Sequence, residues 1–214
     1  MKITHCIFIG FVFFGCNSSA QNADDIDEFL MSQIKVSNKV DFKNDTIVSQ
    51  NLTAIVPKPS DDTLTSILRD DFFKNYEYLL SPGLSEWTIS TEYEVKSYVP
   101  STFISVVEKT ISEISFDRPP SFSSRTINYI FYKSKIYRIE LQPSLELRKY
   151  ADSIVKINFD KDCLENGTLN EHLNLFIESG KFFIDNPLHS KVCDDSIELQ
   201  KDVVKLEYTL IGNK

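Results

Sequence analysis

The residues with most chemistry to offer are two histidines, His172 and His189, four pairs of adjacent aspartates and two cysteines, Cys163 and Cys193. His172 follows Glu171 just ahead of an expected strand, and His189 sits in the turn Asn186-Pro187-Leu188-His189-Ser190. A Ser–His–Asp relay needs no adjacency in sequence, so spacing alone does not test it; a surface or loop histidine is the plainer reading of both. Asp24-Asp25, Asp61-Asp62, Asp70-Asp71 and Asp194-Asp195 supply carboxylates. Acid–base catalysis asks for more: two carboxyl groups at a fixed separation in a cleft, with pKa values driven apart. Adjacent aspartates at helix starts and in loops cap and solvate instead. Asp160-Lys161-Asp162, with Glu165 and Asn166, has the acidity of a calcium loop but not its glycine placement. Nucleophile-elbow, Walker, dinucleotide-binding, zinc-protease and Cys-x-x-Cys patterns are absent. The expectation is a chain with no catalytic, cofactor or metal residues.

The cysteines make sense once the N-terminus is read. Met1-Lys2 gives a positive start, and residues 6–14 are a short apolar run, too short for a spanning helix of about 20 residues. This is the pattern of a secretory signal over residues 1–20. Two cleavage readings compete. Ser18-Ser19-Ala20 suits signal peptidase I, releasing a chain that begins at Gln21. Phe13-Phe14-Gly15-Cys16 has the Gly-Cys of a bacterial lipobox, with Cys16 as lipid acceptor and phenylalanines where leucine and a small residue are usual. Either way Cys163 and Cys193 are left as an even pair in an oxidising compartment, and a disulfide between them is predicted. Closing that loop would stabilise by roughly 3–4 kcal/mol in the chain-entropy model. The chain is therefore expected to be extracytoplasmic: periplasmic, outer-membrane lipoprotein or secreted, touching membrane only through an acylated Cys16. Three Asn-x-Thr sequons, at Asn44, Asn51 and Asn166, matter only if the source is eukaryotic.

Charge narrows the partners. Lys and Arg total 23 against 31 Asp and Glu, a net −8, so nonspecific nucleic-acid binding is not expected. A cationic protein partner suits such a balance.

The elements that must position any site come from periodicity. Residues 87–99, 102–116 and 126–141 alternate apolar and polar positions and are rich in β-branched and aromatic types, so they predict three strands, the last divisible at Lys133-Ser134-Lys135. Leu64, Ile67, Leu68, Phe72, Tyr76 and Leu79 recur at helical spacing and predict a helix over about 62–80, stopped by Ser81-Pro82-Gly83. Ile26, Phe29, Leu30 and Ile34 share one face of a shorter helix or tether behind an acidic start. Residues 145–151 form another helical piece. Residues 173–178 and 181–185 form a hairpin around Ser179-Gly180, and 196–199 and 203–210 are further strands. The predicted fold is α+β: an antiparallel sheet of about six strands with the 62–80 helix against one face. The expected layout is a signal at 1–20, an N-terminal segment or tether at 21–60 and an α+β domain at 61–214. Between strands, residues 116–124 read as a Pro-stiffened loop in which Phe116, Arg118 and Phe122 are candidate contact residues, since rigid aromatic loops bind at low entropic cost.

From Glu92 to Tyr208 the order of features resembles a family of extracytoplasmic domains found in bacterial lipoproteins, beside peptidoglycan deacetylases and as the ectodomain of a lysozyme-sensing anti-sigma factor. The similar pieces are Tyr93-Glu94-Val95, Phe103-Ile104-Ser105-Val106, Asn128-Tyr129 leading into Lys133-Ser134-Lys135-Ile136, Leu175-Phe176-Ile177 with Lys181-Phe182-Phe183-Ile184, and a closing strand at 203–208. Phe116-Asp117-Arg118-Pro119-Pro120 stands where that family has Gly-Ala-His-Pro, so no functional residue carries over. The resemblance implies a non-catalytic binding or inhibitor protein whose partner is a cationic cell-wall enzyme such as a lysozyme. A cell-envelope enzyme or accessory domain acting on peptidoglycan, and a structural lipoprotein, are the alternatives.

Overall fold

A computed structural model describes residues 18–35, 43–49, 52–58, 62–76, 87–114, 119–189, 193 and 195–213. The apolar leader, Cys16, Phe116 and Arg118 lie outside the described residues.

Alternation builds the central sheet. In β4 (Phe103–Ile114), Ile104, Val106, Glu108 and Thr110 point to one side and Phe103, Ser105 and Val107 to the other, and all seven are buried. A strand buried on both faces needs a layer on each. β3 (Trp87–Val99) and β5 (Ser121–Tyr132) flank β4 in long antiparallel ladders, and β6 (Lys135–Leu141) follows β5 through the two-residue turn Lys133-Ser134, both residues at positive φ. That turn matches the right-handed twist of its strands. The carboxy-terminal strand β12 (Leu206–Asn213) pairs with β6. At the other edge the hairpin of β1 (Lys43–Ser49) and β2 (Leu52–Lys58) joins β3, giving the order β1-β2-β3-β4-β5-β6-β12. The fold is α+β, as expected. The sheet has seven strands rather than about six, because residues 43–58 supply a full hairpin, and its β2–β3 junction is parallel.

On one face lies α2 (Asp62–Tyr76), whose Leu68 and Tyr76, with Ile67 and Phe73, pack against Tyr93, Tyr98, Ile104, Val106, Ile127 and Phe131. The described helix ends at Tyr76; residues 77–80 are outside the described set. The other face is covered by a second, three-stranded sheet. β8 (Asn174–Glu178) and β9 (Lys181–Asp185) form the predicted hairpin, turning through Ser179 and Gly180 at positive φ, and β11 (Ile197–Leu199) pairs with β9. They make a layer of their own because Leu175, Ile177, Phe182 and Ile184 have Phe103, Ile130 and Ile139 to cover.

α1 (Ser18–Gln33) and α3 (Leu145–Asn158) complete that layer. Ile26, Leu30 and Ile34, on one stripe, are buried in the same core, each burial contributing about 1.5–3 kcal/mol. The described parts of the expected 21–60 segment pack with the rest: α1 lies in the core and the β1–β2 hairpin belongs to the main sheet. Packing does not stop at the boundary expected near residue 60.

Ser144 caps α3, its hydroxyl accepting from Leu147 N at 3.0 Å. Asp160 caps the short α4 (Lys161–Asn166) in the same way, accepting from Cys163 N. These caps fix where α3 and α4 begin, and α3 runs on to Asn158, beyond the 145–151 piece expected from the sequence. Cys163, in α4, is bonded to Cys193 with their Cα atoms 5.9 Å apart. The bridge sits in a small cluster with Val155, Phe159, Leu188 and Ile197. Nearby, β7 (Thr168–Leu169) pairs with β10 (Leu188–His189).

Candidate functional site

Two polar constructions are built on β4 and β5, one on each face. On the α2 face, Glu108 stands directly opposite Arg125. The carboxylate is only 1% exposed and takes both forks of the guanidinium, Nε to Oε1 at 2.6 Å and Nη2 to Oε2 at 2.7 Å. Such a bidentate pair is the strong form of ion pair. α2 lowers three side chains onto it. Asp71 pairs with Arg125 Nη2 at 2.8 Å, Asn75 presents its amide oxygen to the same guanidinium, and the Tyr76 hydroxyl donates to Glu108 Oε1 at 2.8 Å. Tyr129 donates to Asp71 at 2.8 Å. Burial, then the Glu108 charge, pushes the Tyr76 phenol up to about 12. The same two causes raise Tyr93 further, and burial with Asp71 raises Tyr129. Every phenol here is therefore held neutral, and Tyr76 and Tyr129 are held as donors. Glu108 and Asp71 share the Arg125 guanidinium, with Arg138 4.0 Å from Asp71 as a second cation, and the cluster holds α2 to the sheet.

Three positions along the strands, on the other face, Ser105 stands directly opposite Asn128. Here no charge is used. Ser105 donates to Asn128 Oδ1 at 2.6 Å and its oxygen accepts from Ile177 N at 2.9 Å. Asn128 Nδ2 donates to Leu175 O at 2.7 Å. Leu175 and Ile177 direct these groups away from β9, so two side chains satisfy the open edge of β8. Ser124, also on β5, ties the second sheet again through Asp185 at 2.5 Å.

Beside Asn128 the central sheet divides. β5 and β6 pair only from Tyr132–Lys135 to Tyr129–Arg138. Beyond that, β5 stays with β4 while β6 stays with β12, where Gln142 N donates to Lys205 O at 2.8 Å. The parting leaves a cleft of about 380 Å³ lined by Arg125, Thr126, Arg138, Arg148, His172 and Asn174 among others, with Glu140, Glu171 and Glu207. Arg138 is held by Glu140 at 3.0 Å, and Arg148 donates to the Glu171 carbonyl at 3.1 Å. Ser144, the serine of this cleft, is spent as the cap of α3, and among the described residues no hydrogen bond joins it to His172. A larger cleft of about 480 Å³, between α3 and β11, holds no histidine.

The expected contact residues divide between described and undescribed chain. Phe122 is not in a loop: β5 begins at Ser121, because the alternating stretch continues upstream of Thr126 against β4. Its ring is 73% exposed, opposite Ile111, itself 39% exposed. Both lie where β4 and β5 overhang the second sheet, with Glu92, Glu94 and Glu113 exposed on the same face and Lys109 among them. His172 is exposed in the cleft, and His189 contributes backbone to β10. Asp160, Cys163 and Cys193 approach one another, but both sulfurs are committed to the disulfide. The sequence reading missed the Glu108–Arg125 pair, whose signal was a glutamate on the apolar phase of β4.

Among the described residues no helix is long and apolar enough to cross a membrane. No protein-family model matches this chain, and no match is found among curated proteins.

Proposed function

We propose that this chain is an exported, non-catalytic binding protein of the cell envelope that docks a cationic protein, with a cell-wall enzyme such as a lysozyme as the first candidate. The observation that carries the reading is the exposed cross-strand pair Ile111–Phe122, set on the β4–β5 ladder among Glu92, Glu94 and Glu113, with Glu94 paired to Lys96 and Lys109 opposite Glu92. A large aromatic held at the surface by a long ladder is a low-entropy anchor, and an acidic surround steers a basic partner to it. The formed disulfide supports export, since such bonds persist outside reducing compartments. The spent serine, and the mutual pairing of Glu108 and Asp71 with Arg125, support a role without catalysis.

Export is tested by mass spectrometry of the mature N-terminus: a start at Gln21 or an acylated Cys16 supports it, and an intact leader refutes it. Docking is tested by titrating the mature chain with lysozyme at low and physiological salt. Binding that weakens with salt and is lost in Phe122→Asp supports the reading. Peptidoglycan hydrolysis by the purified chain, with no lysozyme binding, would replace it with the enzyme alternative.

A further inference from the structure

We propose that the outer edge of β5, from Phe122 to Thr126, takes an extended peptide segment that enters the β5–β6 cleft and adds a strand to the central sheet, its carboxylate end held near Arg148. This goes beyond the export and the partner class proposed above, and it stands on ladder parity. In an antiparallel ladder, alternate residues direct both backbone groups to one neighbour and then the other. Phe131 N donates to Thr102 O at 2.7 Å, so the odd residues of β5 serve β4. Its even residues serve β6: Tyr132 closes the turn with Lys135, and Ile130 is next, opposite Tyr137. Asn128, Thr126, Ser124 and Phe122 continue that series past the point where β6 leaves.

The backbone groups of this series meet different fates. Ser124 O accepts a long bond from Asn174 Nδ2 at 3.4 Å, and the Asn128 side chain reaches Ile139 O at 3.4 Å. Thr126 has no hydrogen bond beyond its ladder among the described residues. Continued pairing would set Leu141 against Thr126 and residue 143 against Ser124. Residue 143 is proline, which has no N–H to give, so the chain's own strand cannot close the rung at Ser124. What is left is an edge whose Thr126 and Asn128 line an open cleft and whose alternate residues continue past it to Phe122, with only a long bond at Ser124 O, and only another extended main chain matches that spacing. The edge of β8 shows the contrast, since Ser105 and Asn128 occupy it. Arg148 lines the cleft and has no carboxylate partner among the described residues, which favours a guest with a free carboxylate there.

The test uses the ¹⁵N-labelled mature chain and an N-acetylated pentapeptide pool, randomised at alternate positions, with a free carboxylate. The expected result is saturable shifts of the Phe122, Ser124 and Thr126 amides and slowed exchange of the Thr126 N–H. A pool N-methylated at alternate residues should lose these effects. An amidated pool should bind about tenfold more weakly, the loss expected for one charge-assisted contact, and Arg148→Gln should erase the difference between free and amidated pools. Thr126→Pro should abolish binding with an unchanged thermal melt, since the missing N–H faces outward. Absence of shifts at millimolar peptide, shifts elsewhere only, or equal binding of the N-methylated pool would each overturn the proposal. Lysozyme binding by the same sample reads out the docking overhang separately.

Discussion

The two faces of β4 and β5 solve one problem in two ways. Both bury a polar cross-strand pair under a covering layer. Under α2 the pair is ionic, Glu108 with Arg125; under β8 it is neutral, Ser105 with Asn128. The ionic pair takes its further partners from side chains: Asp71, Asn75 and Tyr76 all descend from one helix. The neutral pair takes main-chain partners, Ile177 N and Leu175 O. A helix has no spare backbone groups along its middle, so it can be gripped only through side chains. A strand edge has spare groups at alternate residues, so a serine and an asparagine suffice.

The largest effect should come from breaking the ionic pair on one side. Arg125→Met leaves Glu108 buried without its partner, and urea unfolding should show a loss of about 3–5 kcal/mol. Adding Glu108→Leu to that variant should restore most of it, because an apolar pair can replace a buried ionic one. If the double variant is as unstable as the single, Asp71 and Tyr76 depend on Glu108 more than the geometry implies.

Reducing the disulfide, or the double change Cys163→Ser with Cys193→Ser, should cost roughly 3–4 kcal/mol. It touches neither polar pair, so on thermal unfolding its effect should add to that of Arg125→Met within about 0.5 kcal/mol. Strong non-additivity would mean that the α3–α4 region and the α2 face are coupled.

How much of this was legible is instructive. Strands, hairpins, both main helices and the Cys163–Cys193 bond follow from period, turn residues and cysteine parity, which are local or nearly so. Ile26, Leu30 and Ile34 announced a helix face but not what it meets, because the acidic start of α1 reads equally as a solvated tether. Pairing of residues 43–58 into the sheet, and the second sheet as a separate layer, depend on contacts distant in sequence. Glu108 sits in phase with Ile104 and Val106, and that misplaced charge was the one available clue to a buried ion pair. Asn128 gave no such clue, since an asparagine within a strand reads as a weak position rather than as a brace for another sheet. Pro143 bars one rung of the missing β5–β6 ladder, yet the cleft itself appears only when β5 and β6 are set in register.

Alkali should separate the two polar pairs too. The Tyr76 phenol is ordinarily at 10.0 and is raised to about 12 in the fold. Its contribution is whole below pH 10 and is lost as pH climbs through about 12, because the unfolded chain gives up the proton first. The urea midpoint should fall across that window, and Tyr76→Phe should shrink the fall while lowering stability at pH 7 by about 1–2 kcal/mol. Tyr93, Tyr129 and, on the other face, Tyr208 are raised further still, so the variant still loses stability from about pH 10 upward. Ser105→Ala should leave the alkaline fall unchanged, as no phenol hydrogen-bonds to its pair.

The finest comparison lies within the neutral face. Ser97 on β3 stands directly opposite Ser105, and both are buried. Ser105 donates once and accepts once, whereas the Ser97 hydroxyl has no hydrogen-bond partner among the described residues. Removing a bonded buried hydroxyl strands its partners; removing an unbonded one relieves a desolvated group. Ser105→Ala should therefore cost about 1–3 kcal/mol, and Ser97→Ala should be neutral or stabilising by up to about 1 kcal/mol. The same residue type, on paired strands under the same layer, should change the urea midpoint in opposite directions. Equal losses would mean that Ser97 holds a bridging water, and that the polar row on this face spans β3, β4 and β5 as one unit.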